Sequence, residues 1–376
     1  MKLVIISAAP LIKKKDRWYA YAPYVYELEI WAKFVDQVVI SCPIWESENR
    51  LLVTPLNFKI KEVVPLYEFN IKSFIAGIKG ILAVVRNLLI LVKLVQQADH
   101  IHLRCPGNMG LLGAIIQIFF PKKKKTAKYA GNWDPKAKQP WSYKLQKWIL
   151  SNTILTKNMQ VLVYGEWPNQ TKNIKPFFTA TYKEKERREK YFSEKFNNLS
   201  EQEIKFLFVG TLTFGKRPLY VIQIVERLLK EGYNVSLELY GEGILKKELL
   251  LYVKQNNLQN FIFFRGNQTK ENLKEAYINR HFLILPSQSE GWPKAVAEAM
   301  FWGTIPLVSR VSCVFSMLNN EERGFLIDCD LDKDVDKIIQ LIKDYNTLKK
   351  TSERGQLWAQ YYTIEEFELG ISKILI

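Results

Sequence analysis

The sequence predicts a chain of two α/β domains, each built on a doubly wound parallel sheet. Apolar runs of strand length alternate with amphipathic stretches of helix length, and this alternation begins again after residue 200. Strands covered on both faces have such unbroken apolar runs, whereas strands with one wet face alternate. The length of 376 residues also suits two or three domains.

Each half predicts its own series of elements. In the first half we expect strands at residues 3–7, 37–41, 100–103, 128–130 and 161–163, with helices at 22–34, 73–97 and 110–120. In the second half we expect strands at 205–209, 236–240, 261–264, 282–285 and 305–308, with helices at 218–231, 245–256, 270–279 and 294–302. A mixed-charge run near residues 182–190 marks the boundary. The predicted domains are therefore residues 1–190 and 191–362, and a final amphipathic helix at about 363–376 is expected to pack back on the first.

The net charge of +16 belongs to the first half of the chain. Residues 1–190 hold 31 Lys and Arg against 14 Asp and Glu, whereas residues 191–376 hold 23 against 24. The first domain is therefore expected to face something anionic, unless the lysines only solvate its surface. Four widely spaced cysteines and three histidines argue against a disulfide scaffold or a structural zinc site. The chain opens on a strand rather than a signal peptide, which favours the cytoplasm.

Two basic segments of the first half could contact an anionic membrane. In residues 71–95, basic residues recur every seven positions and share one stripe of a helix: Lys72, Lys79, Arg86 and Lys93. Its uncharged stretches are shorter than the ~20 residues of a membrane span, so it is either a core helix or one that lies on a membrane. The second segment is Phe119–Pro121 followed by four lysines, 122–125, which either contact headgroups or form an ordinary basic loop.

The most informative segment of the second half joins the strand at 282–285 to the helix at 294–302. Ligands of parallel sheets bind beyond the carboxyl ends of the strands, where Glu290 stands, and the free amides of a helix start bind phosphate. Glu298 lies one turn into that helix and is expected to face the same cleft. Two carboxylates beside a phosphate-binding helix start suit a sugar nucleotide. The alternative is that Glu298 is a surface residue and Glu290 only complements the helix dipole.

Two further turns follow strands of the same domain. Gly210 to Pro218 contains Lys216 and Arg217 at a helix start, where cations are unfavourable unless an anion binds. Tyr240 to Gly243 is the other turn, with Gly241 at its start. Three such turns on one sheet edge favour a phosphate-containing ligand.

These residues give the second half its resemblance to a known family. Residues 203–345, and above all the Glu290-Gly291-Trp292…Glu298 segment, resemble the donor-binding domain of retaining glycosyltransferases of the GT-B fold, family 4 (group 1). The resemblance implies two Rossmann-like domains facing across a cleft and no catalytic metal. It implies that Glu290 contacts the transferred sugar, Glu298 the ribose and Lys216 the pyrophosphate of a UDP- or GDP-linked sugar. The remaining donor-binding positions are Gly210, Thr211, Arg217, Gly241, Asn267, Gly291, Trp292, Pro293, Lys294, Ala295 and Val296.

The chain departs from the family pattern at two places. The family usually has arginine where this chain has Thr211, so one pyrophosphate cation is missing, and Arg217 is the candidate to replace it. The usual Glu-Gly-Phe-Gly-Leu-Pro becomes Glu-Gly-Trp-Pro-Lys-Ala at residues 290–295.

Acceptor-binding residues are expected after two strands of the first domain. The candidates are Arg104, Asn108, Asn132 and Asp134. Asp134 either orients the acceptor hydroxyl or takes its proton, or it caps the next helix. His100 and His102 are expected on opposite faces of their strand, as core imidazoles rather than ligands.

The leading hypothesis is a retaining, metal-independent glycosyltransferase without a cofactor. Its expected partners are a nucleotide sugar and a saccharide or polyprenyl-linked acceptor, as in bacterial capsule, O-antigen or exopolysaccharide synthesis. It would be cytoplasmic and peripheral at the inner face of the plasma membrane. The alternatives are a non-catalytic protein that binds anionic polymers or membranes on a degenerate fold, and a nucleotide-sugar epimerase. Nucleic acid is not expected, because no recognition motif accompanies the charge.

Overall fold

The computed structural model describes residues 1–48, 52–69, 74–188, 195–197, 199 and 202–375. The chain divides into two compact units, Met1–Phe177 with Glu368–Ile376, and Phe178–Phe367. The chain therefore passes from the first unit to the second after Phe177. This point precedes the mixed-charge run at residues 182–190, where the sequence predicts the boundary. Residues 189–190 of that run lie outside the described residues.

The first unit contains a seven-stranded parallel sheet in the order β11-β10-β9-β8-β1-β4-β7. Its strands are β1 (Lys2–Ile6), β4 (Gln37–Cys42), β7 (Ile60–Pro65), β8 (His100–Cys105), β9 (Lys124–Tyr129), β10 (Met159–Tyr164) and β11 (Ile174–Phe177). Its helices are α1 (Ala22–Ala32), α2 (Phe74–Gln97), α3 (Asn108–Ile116) and α4 (Trp141–Ser151). The strands β1, β4, β8 and β10 are buried along nearly their whole length, and Val4, Ile101 and Val161 are fully buried. The predicted α/β class is confirmed for this unit.

A small second sheet of the first unit was not expected from the sequence. It has the order β5-β2-β3-β6, with strands β2 (Leu11–Lys14), β3 (Arg17–Tyr21), β5 (Ile44–Trp45) and β6 (Val53–Pro55). β2 and β3 form an antiparallel hairpin. The residues between Leu11 and Tyr21 include five consecutive charged ones, 13–17, so they lack the apolar run that predicts a buried strand.

The second unit contains a six-stranded parallel sheet in the order β14-β13-β12-β15-β16-β17. Its strands are β12 (Ile204–Val209), β13 (Val235–Tyr240), β14 (Ile262–Gly266), β15 (Phe282–Leu285), β16 (Ile305–Ser309) and β17 (Phe325–Ile327). Its helices are α5 (Pro218–Lys230), α6 (Lys246–Gln255), α7 (Lys270–Asn279), α8 (Lys294–Phe301), α9 (Val314–Leu318), α10 (Leu331–Ile342) and α11 (Tyr345–Ala359). The last helix of the chain, α12 (Ile364–Leu375), contributes its residues from Glu368 onward to the first unit. Both sheets thus have the predicted Rossmann-like form.

The sequence excludes a membrane span in helix α2, and the structure corrects this exclusion. Its window Gly80–Gln97 is long and apolar enough, by length and composition alone, to cross a membrane. Leu91, Leu94 and Val95 are nevertheless buried in the core of the first unit, while Leu82 and Leu89 are exposed. One face of α2 is therefore a core face and another is an exposed apolar face. Of the predicted basic stripe, Arg86 and Lys93 are exposed, whereas Lys72 and the side chain of Lys79 lie outside the described residues.

The two histidines of β8 also correct an expectation. Residues two apart on a strand point to the same face, and His100 Nε2 and His102 Nδ1 both contact Thr126 Oγ1, at 3.0 and 2.9 Å. The prediction of opposite faces is wrong. The core interpretation is confirmed, because both rings are buried. Burial lowers the pKa of His100 to about 4 and that of His102 to about 3.

Candidate functional site

The candidate site of the second unit lies at the point where the strand order of its sheet reverses. β12 pairs with β13 on one side and with β15 on the other. The connections that leave β12 and β15 therefore run in opposite directions and open a crevice at the carboxyl edge of the sheet, the usual ligand position in such folds. The loop after β12 carries Lys216, and the loop after β15 carries Glu290.

Lys216 and Glu290 form an ion pair across this crevice. Lys216 Nζ donates to Glu290 Oε1, and the two side chains retain 25% and 9% of their exposure. Lys216 ends a short 3₁₀ helix, Phe214–Lys216, so its position is fixed by local backbone structure. The residues predicted to contact the transferred sugar and the pyrophosphate are thus in direct contact with each other.

Hydrogen bonds hold the loop of Glu290 in place on both sides. Gln288 N–H donates to Gly215 O at 2.8 Å, which ties this loop to that of Lys216. Ser312 Oγ donates to Gly291 O at 3.1 Å, and Cys313 Sγ donates to the same oxygen at 3.3 Å. The carboxylate of Glu290 is therefore presented by a well-anchored turn.

Glycines allow the neighbouring turn to pack closely against the turn after β12. Gly241 has φ +133°, and a Cβ there would overlap Gly210 O. A Cβ at Gly243 would overlap the backbone of Leu212. Gly210 N–H donates to Tyr240 O at 3.0 Å, and Gly241 N–H donates to Gly266 O at 2.9 Å. Turns after β12, β13 and β14 thus meet at one edge, and Asn267 follows β14 there with an exposed side chain.

Arg217 has partners other than those of the neighbouring Lys216. Its backbone is left-handed, with φ 49° and ψ 49°, immediately before Pro218 at the start of α5. Its guanidinium donates to Cys329 Sγ at 3.0 Å and to Pro286 O at 3.4 Å. Thr211, at the position where the family has arginine, is exposed. The structure therefore gives Arg217 structural partners within the unit.

Glu298 has different partners from Glu290. Its Oε1 accepts from Thr181 Oγ1 at 2.6 Å, and its Oε2 accepts from Tyr277 OH at 3.0 Å. A carboxylate offers about four lone-pair positions, so each oxygen can accept a further hydrogen bond. Glu298 also lines a small cavity together with Trp292 and Lys294.

The start of α8 follows the proline of the Glu290 loop. Pro293 is the N-cap and provides no side-chain cap, so Lys294 and Ala295 are the first helical residues. Val296 N–H donates to Pro293 O at 2.9 Å, so this amide already has a partner in the first turn of the helix. The Trp292 ring stacks on Trp358 with 6.3 Å between centroids. Trp292 therefore anchors the loop to α11.

The predicted acceptor edge of the first unit holds a buried ionic cluster. Arg104 and Lys128 are register partners at the carboxyl ends of β8 and β9. Arg104 Nη1 lies 3.1 Å from Glu27 Oε1, and Lys128 Nζ lies 2.8 Å from Glu27 Oε2. Burial alone would raise the pKa of Glu27, but the two cations lower it to about 2. The cluster therefore carries one excess positive charge.

The other acceptor candidates lie at the same edge and make local contacts. Asn108 starts α3 and is exposed, with its Nδ2 3.3 Å from Phe69 O. Asn132 Oδ1 accepts from Asp134 N–H at 2.9 Å, and Asp134 Oδ1 accepts from Lys136 N–H at 2.8 Å. Asp134 thus closes a turn. The expectation that it caps the next helix is wrong, because α4 begins after Pro140.

Sequence reasoning missed three polar partners of the site residues. Thr181 and Tyr277 bind Glu298, but nothing in the sequence pattern distinguishes them from other residues of a linker and a helix. Glu27 was detectable, because it occupies the α1 face that also carries the buried Tyr24, Leu28 and Trp31. Among the described residues, no three His, Cys, Asp or Glu side chains are grouped to hold a metal ion.

Comparisons with known proteins indicate the family and the fold of the chain. Residues 189–358 match the sequence model of the family "Glycosyl transferases group 1". Protein CapJ of Staphylococcus aureus is 24% identical over an alignment that covers 100% of this chain and 95% of that protein. The UDP-Gal:alpha-D-GlcNAc-diphosphoundecaprenol alpha-1,3-galactosyltransferase of Escherichia coli is 27% identical over 40% of each chain.

A solved structure shares the fold over the whole chain. The crystal structure of Anabaena Alr3699/HepE in complex with UDP and glucose superposes with a TM-score of 0.68 at 14% identity, covering 100% of this chain and 98% of that one. Two Rossmann-like units with this similarity identify the GT-B fold. On the family match, the segment 189–358 of this chain belongs to the glycosyl transferases group 1 family.

Proposed function

We propose that this glycosyltransferase moves a sugar from a nucleotide-sugar donor to a saccharide or lipid-linked saccharide acceptor, with retention of configuration and without a metal ion. The observation that carries the proposal is the Lys216–Glu290 pair at the reversal of strand order in the second unit. An anchored carboxylate and an adjacent lysine offer what a sugar diphosphate requires: acceptors for sugar hydroxyls and a cation for phosphate.

Donor binding would exchange one ionic partner for another. The pyrophosphate would take Lys216 from Glu290, and the released carboxylate would accept hydrogen bonds from hydroxyls of the sugar. The remaining lone pairs of Glu298 would accept from the ribose hydroxyls, while Thr181 and Tyr277 hold its orientation. Lys216 would then face the charge that develops on the leaving diphosphate, where an organised cation is most effective.

The transfer step needs no protein base in this proposal. The acceptor oxygen would form a bond to the anomeric carbon on the face from which the diphosphate departs, so the configuration is retained. The bond from that carbon to the diphosphate oxygen breaks, and the diphosphate takes the acceptor proton. This agrees with a site in which Glu290 and Lys216 bind and orient the donor.

The acceptor and the location are proposed from the charge of the first unit and from the name of a relative. The E. coli relative is named for a diphosphoundecaprenol-linked acceptor, and the first unit of this chain holds the excess positive charge. We therefore propose an anionic or polyprenyl-linked acceptor and a role in bacterial surface polysaccharide synthesis. The proposed location is the cytoplasm, at the inner face of the plasma membrane. The donor is proposed to be UDP- or GDP-linked.

The test is transfer activity of the full chain with a panel of nucleotide sugars and acceptors. Nucleoside diphosphate release and the anomeric configuration of the product are measured, with and without a chelator. We expect release that is insensitive to chelation and a retained configuration. Glu290→Gln should lower the rate by about 100- to 1000-fold, because the charge that orients the donor is lost.

A matched control separates the effect of losing Glu290 from the effect of losing one negative charge anywhere in the unit. Glu231 is an exposed carboxylate of the same unit that pairs with Arg227, so Glu231→Gln removes the same charge far from the crevice loops. It should leave the rate unchanged. Full activity of Glu290→Gln would overturn the site assignment. Conversion of the donor without diphosphate release would indicate an epimerase, and no reaction with any donor would indicate a non-catalytic protein.

A further inference from the structure

A broad basic groove lies at the amino-terminal edge of the seven-stranded sheet. It has a volume of about 880 Å³ and is lined by the first residues of three strands, His100, Lys124 and Met159. Seven lysines line it, of which six are exposed: Lys122, Lys124, Lys157, Lys172, Lys175 and Lys373. No carboxylate stands among the lining residues, all of which belong to the described part of the chain. The groove is therefore strongly cationic and wide enough for a charged ligand.

The fold, rather than the lysine run alone, creates this charge. Within residues 122–125, Lys123 Nζ donates to Gln96 O and Ala98 O at 2.8 and 2.7 Å. Lys125 is buried and donates to Gln117 O and Phe120 O at 3.2 and 3.1 Å. Two of the four lysines thus bind backbone carbonyls. The groove gains its other cations from segments distant in sequence, namely Lys157, Lys172, Lys175 and Lys373.

Large apolar side chains are exposed beside the groove. Phe119 and Ile154 retain 72% and 76% of their exposure. Their two loops are joined, because Asn158 Nδ2 donates to Pro121 O at 2.9 Å and Gln117 Nε2 donates to Leu155 O at 3.1 Å. Phe119 and Ile154 therefore flank the same cationic surface. Exposed apolar residues rimmed by cations mark an interaction site.

The exposed face of α2 leads to the same edge of the sheet. Leu82, Val85 and Leu89 on this face are 58%, 49% and 63% exposed. The last turn of α2 is held against the lysine loop by the two bonds from Lys123 to Gln96 O and Ala98 O. The carboxyl end of α2 thus lies at the same edge of the sheet as the cationic groove.

We propose that this edge binds an anionic phospholipid surface, with phosphate-bearing headgroups in the groove and Phe119 and Ile154 in the acyl boundary. A soluble polyanion would account for the lysines but would leave the exposed apolar side chains without a partner. An anionic bilayer matches both, because lysines gain from its surface potential and apolar side chains gain from burial beneath the headgroups. The proposal stands independently of the transfer reaction.

A bilayer bound at the groove would leave the carboxyl edge of the sheet accessible. Strand β8 runs from His100, which lines the groove, to Cys105 beside Arg104. Six strand residues span roughly 20 Å. A bilayer at the groove would therefore lie about that distance from the carboxyl edge, where Asn108, Asn132 and Asp134 are found.

The test is vesicle co-sedimentation of the full chain. Vesicles of phosphatidylcholine with phosphatidylglycerol are compared with vesicles of phosphatidylcholine alone, and inorganic polyphosphate serves as a soluble polyanion. The variant Lys122→Glu/Lys157→Glu/Lys172→Glu should bind the anionic vesicles at least roughly 100-fold more weakly, since each lysine near the surface contributes about five-fold. The wild type should not bind the neutral vesicles.

A matched variant with the same net charge is the control. Lys13 is exposed on the small sheet. Lys59 and Lys61 are exposed at strand β7, which is the edge strand of the large sheet opposite β11. The loss of vesicle binding that net charge alone causes is common to both triple variants. Beyond that common loss, reversing these three lysines to Glu should weaken vesicle binding by less than about three-fold. An equal loss in both variants would overturn the groove assignment. Circular dichroism and thermal unfolding establish that each variant is folded.

A charge-neutral variant tests the apolar part. Phe119→Ser/Ile154→Ser should weaken binding to anionic vesicles by about ten-fold or more, because apolar burial is lost, and should leave polyphosphate binding unchanged. Wild-type binding to polyphosphate without binding to anionic vesicles would overturn the lipid proposal in favour of a soluble polyanion. Equal vesicle binding of this variant and the wild type would contradict the proposed insertion.

Discussion

The carboxyl edges of the two sheets both carry ion pairs, but these pairs differ in how far they are exposed. In the first unit, Glu27 and Lys128 are 7% and 1% exposed, and Arg104, which shares the same carboxylate, is 20% exposed. In the second unit, Glu290 is 9% exposed but Lys216 keeps 25% of its surface. The Glu27–Lys128 pair is thus part of the core, whereas Lys216 keeps a surface that a ligand can reach. A charged group at a ligand-binding edge therefore indicates function only when its partners can be replaced.

The largest expected effect is on the stability of the first unit. Glu27→Gln would leave the buried Lys128 and the partly buried Arg104 together without a counter-charge. The free energy of unfolding should fall by about 3–5 kcal/mol, the usual result of breaking a buried pair. Urea unfolding of the full chain measures this loss. Glu29→Gln on the same helix, which is only partly buried, should cost less than about 1 kcal/mol. A small loss at Glu27 would mean that the cations reach water.

The second expected effect is a difference in acid sensitivity between the units. All three histidines are buried, His100 and His102 in the first unit and His281 in the second. Burial is the main cause that lowers their pKa values to about 4, 3 and 3. The unfolded chain binds a proton on each near pH 6.5, so stability falls as the pH drops below that value.

The size of this effect distinguishes the two units. Between about pH 7 and pH 5.5, each buried histidine should cost roughly 1.4 kcal/mol. The first unit should therefore lose about twice as much as the second. Hydrogen exchange of strands β8 and β12, corrected for intrinsic rates, measures both. Equal losses in the two units would contradict the assignment of neutral core histidines.

The smallest expected stability effect is that of Lys216→Met. The pair with Glu290 is partly open to water, so the free energy of unfolding should change by no more than about 1 kcal/mol. The KM for the nucleotide sugar should rise by about 10- to 100-fold, because a charged hydrogen bond to the diphosphate is lost. Thermal unfolding and initial rates measure the two quantities. An unchanged KM together with a large loss of stability would make Lys216 a structural residue like Lys128.

The sequence predicts the larger sheets well and the small one poorly. Runs such as residues 206–209 and 282–285 are apolar at every position, which is typical of strands covered on both faces. The hairpin around residues 13–16 has no apolar run, so only tertiary pairing defines it. Lys124 and Lys125 belong to β9 although a lysine run suggests a loop. The aliphatic stems of lysine can be buried while the ammonium binds carbonyls, as Lys125 does.

The candidate site, too, is only partly predictable from the sequence. Lys216 and Glu290 are predictable because each follows a strand, and strand ends converge at one sheet edge. The direction of a side chain is not predictable in this way. Arg217 is adjacent to Lys216 in sequence, yet its left-handed backbone turns it toward Cys329. The partners of Glu298 come from distant segments, so they depend on packing that local pattern does not describe.

The return of the chain to the first unit has a consequence for biosynthesis. Residues from Glu368 onward belong to that unit: Lys33 pairs with Glu368, and Ile371 is fully buried. The second unit is a continuous segment. During translation the second unit can thus be completed as soon as Phe367 emerges from the ribosome, while the first must await later residues. Nascent chains stalled before this point should therefore expose apolar surface on the earlier-made half, where chaperones would engage it.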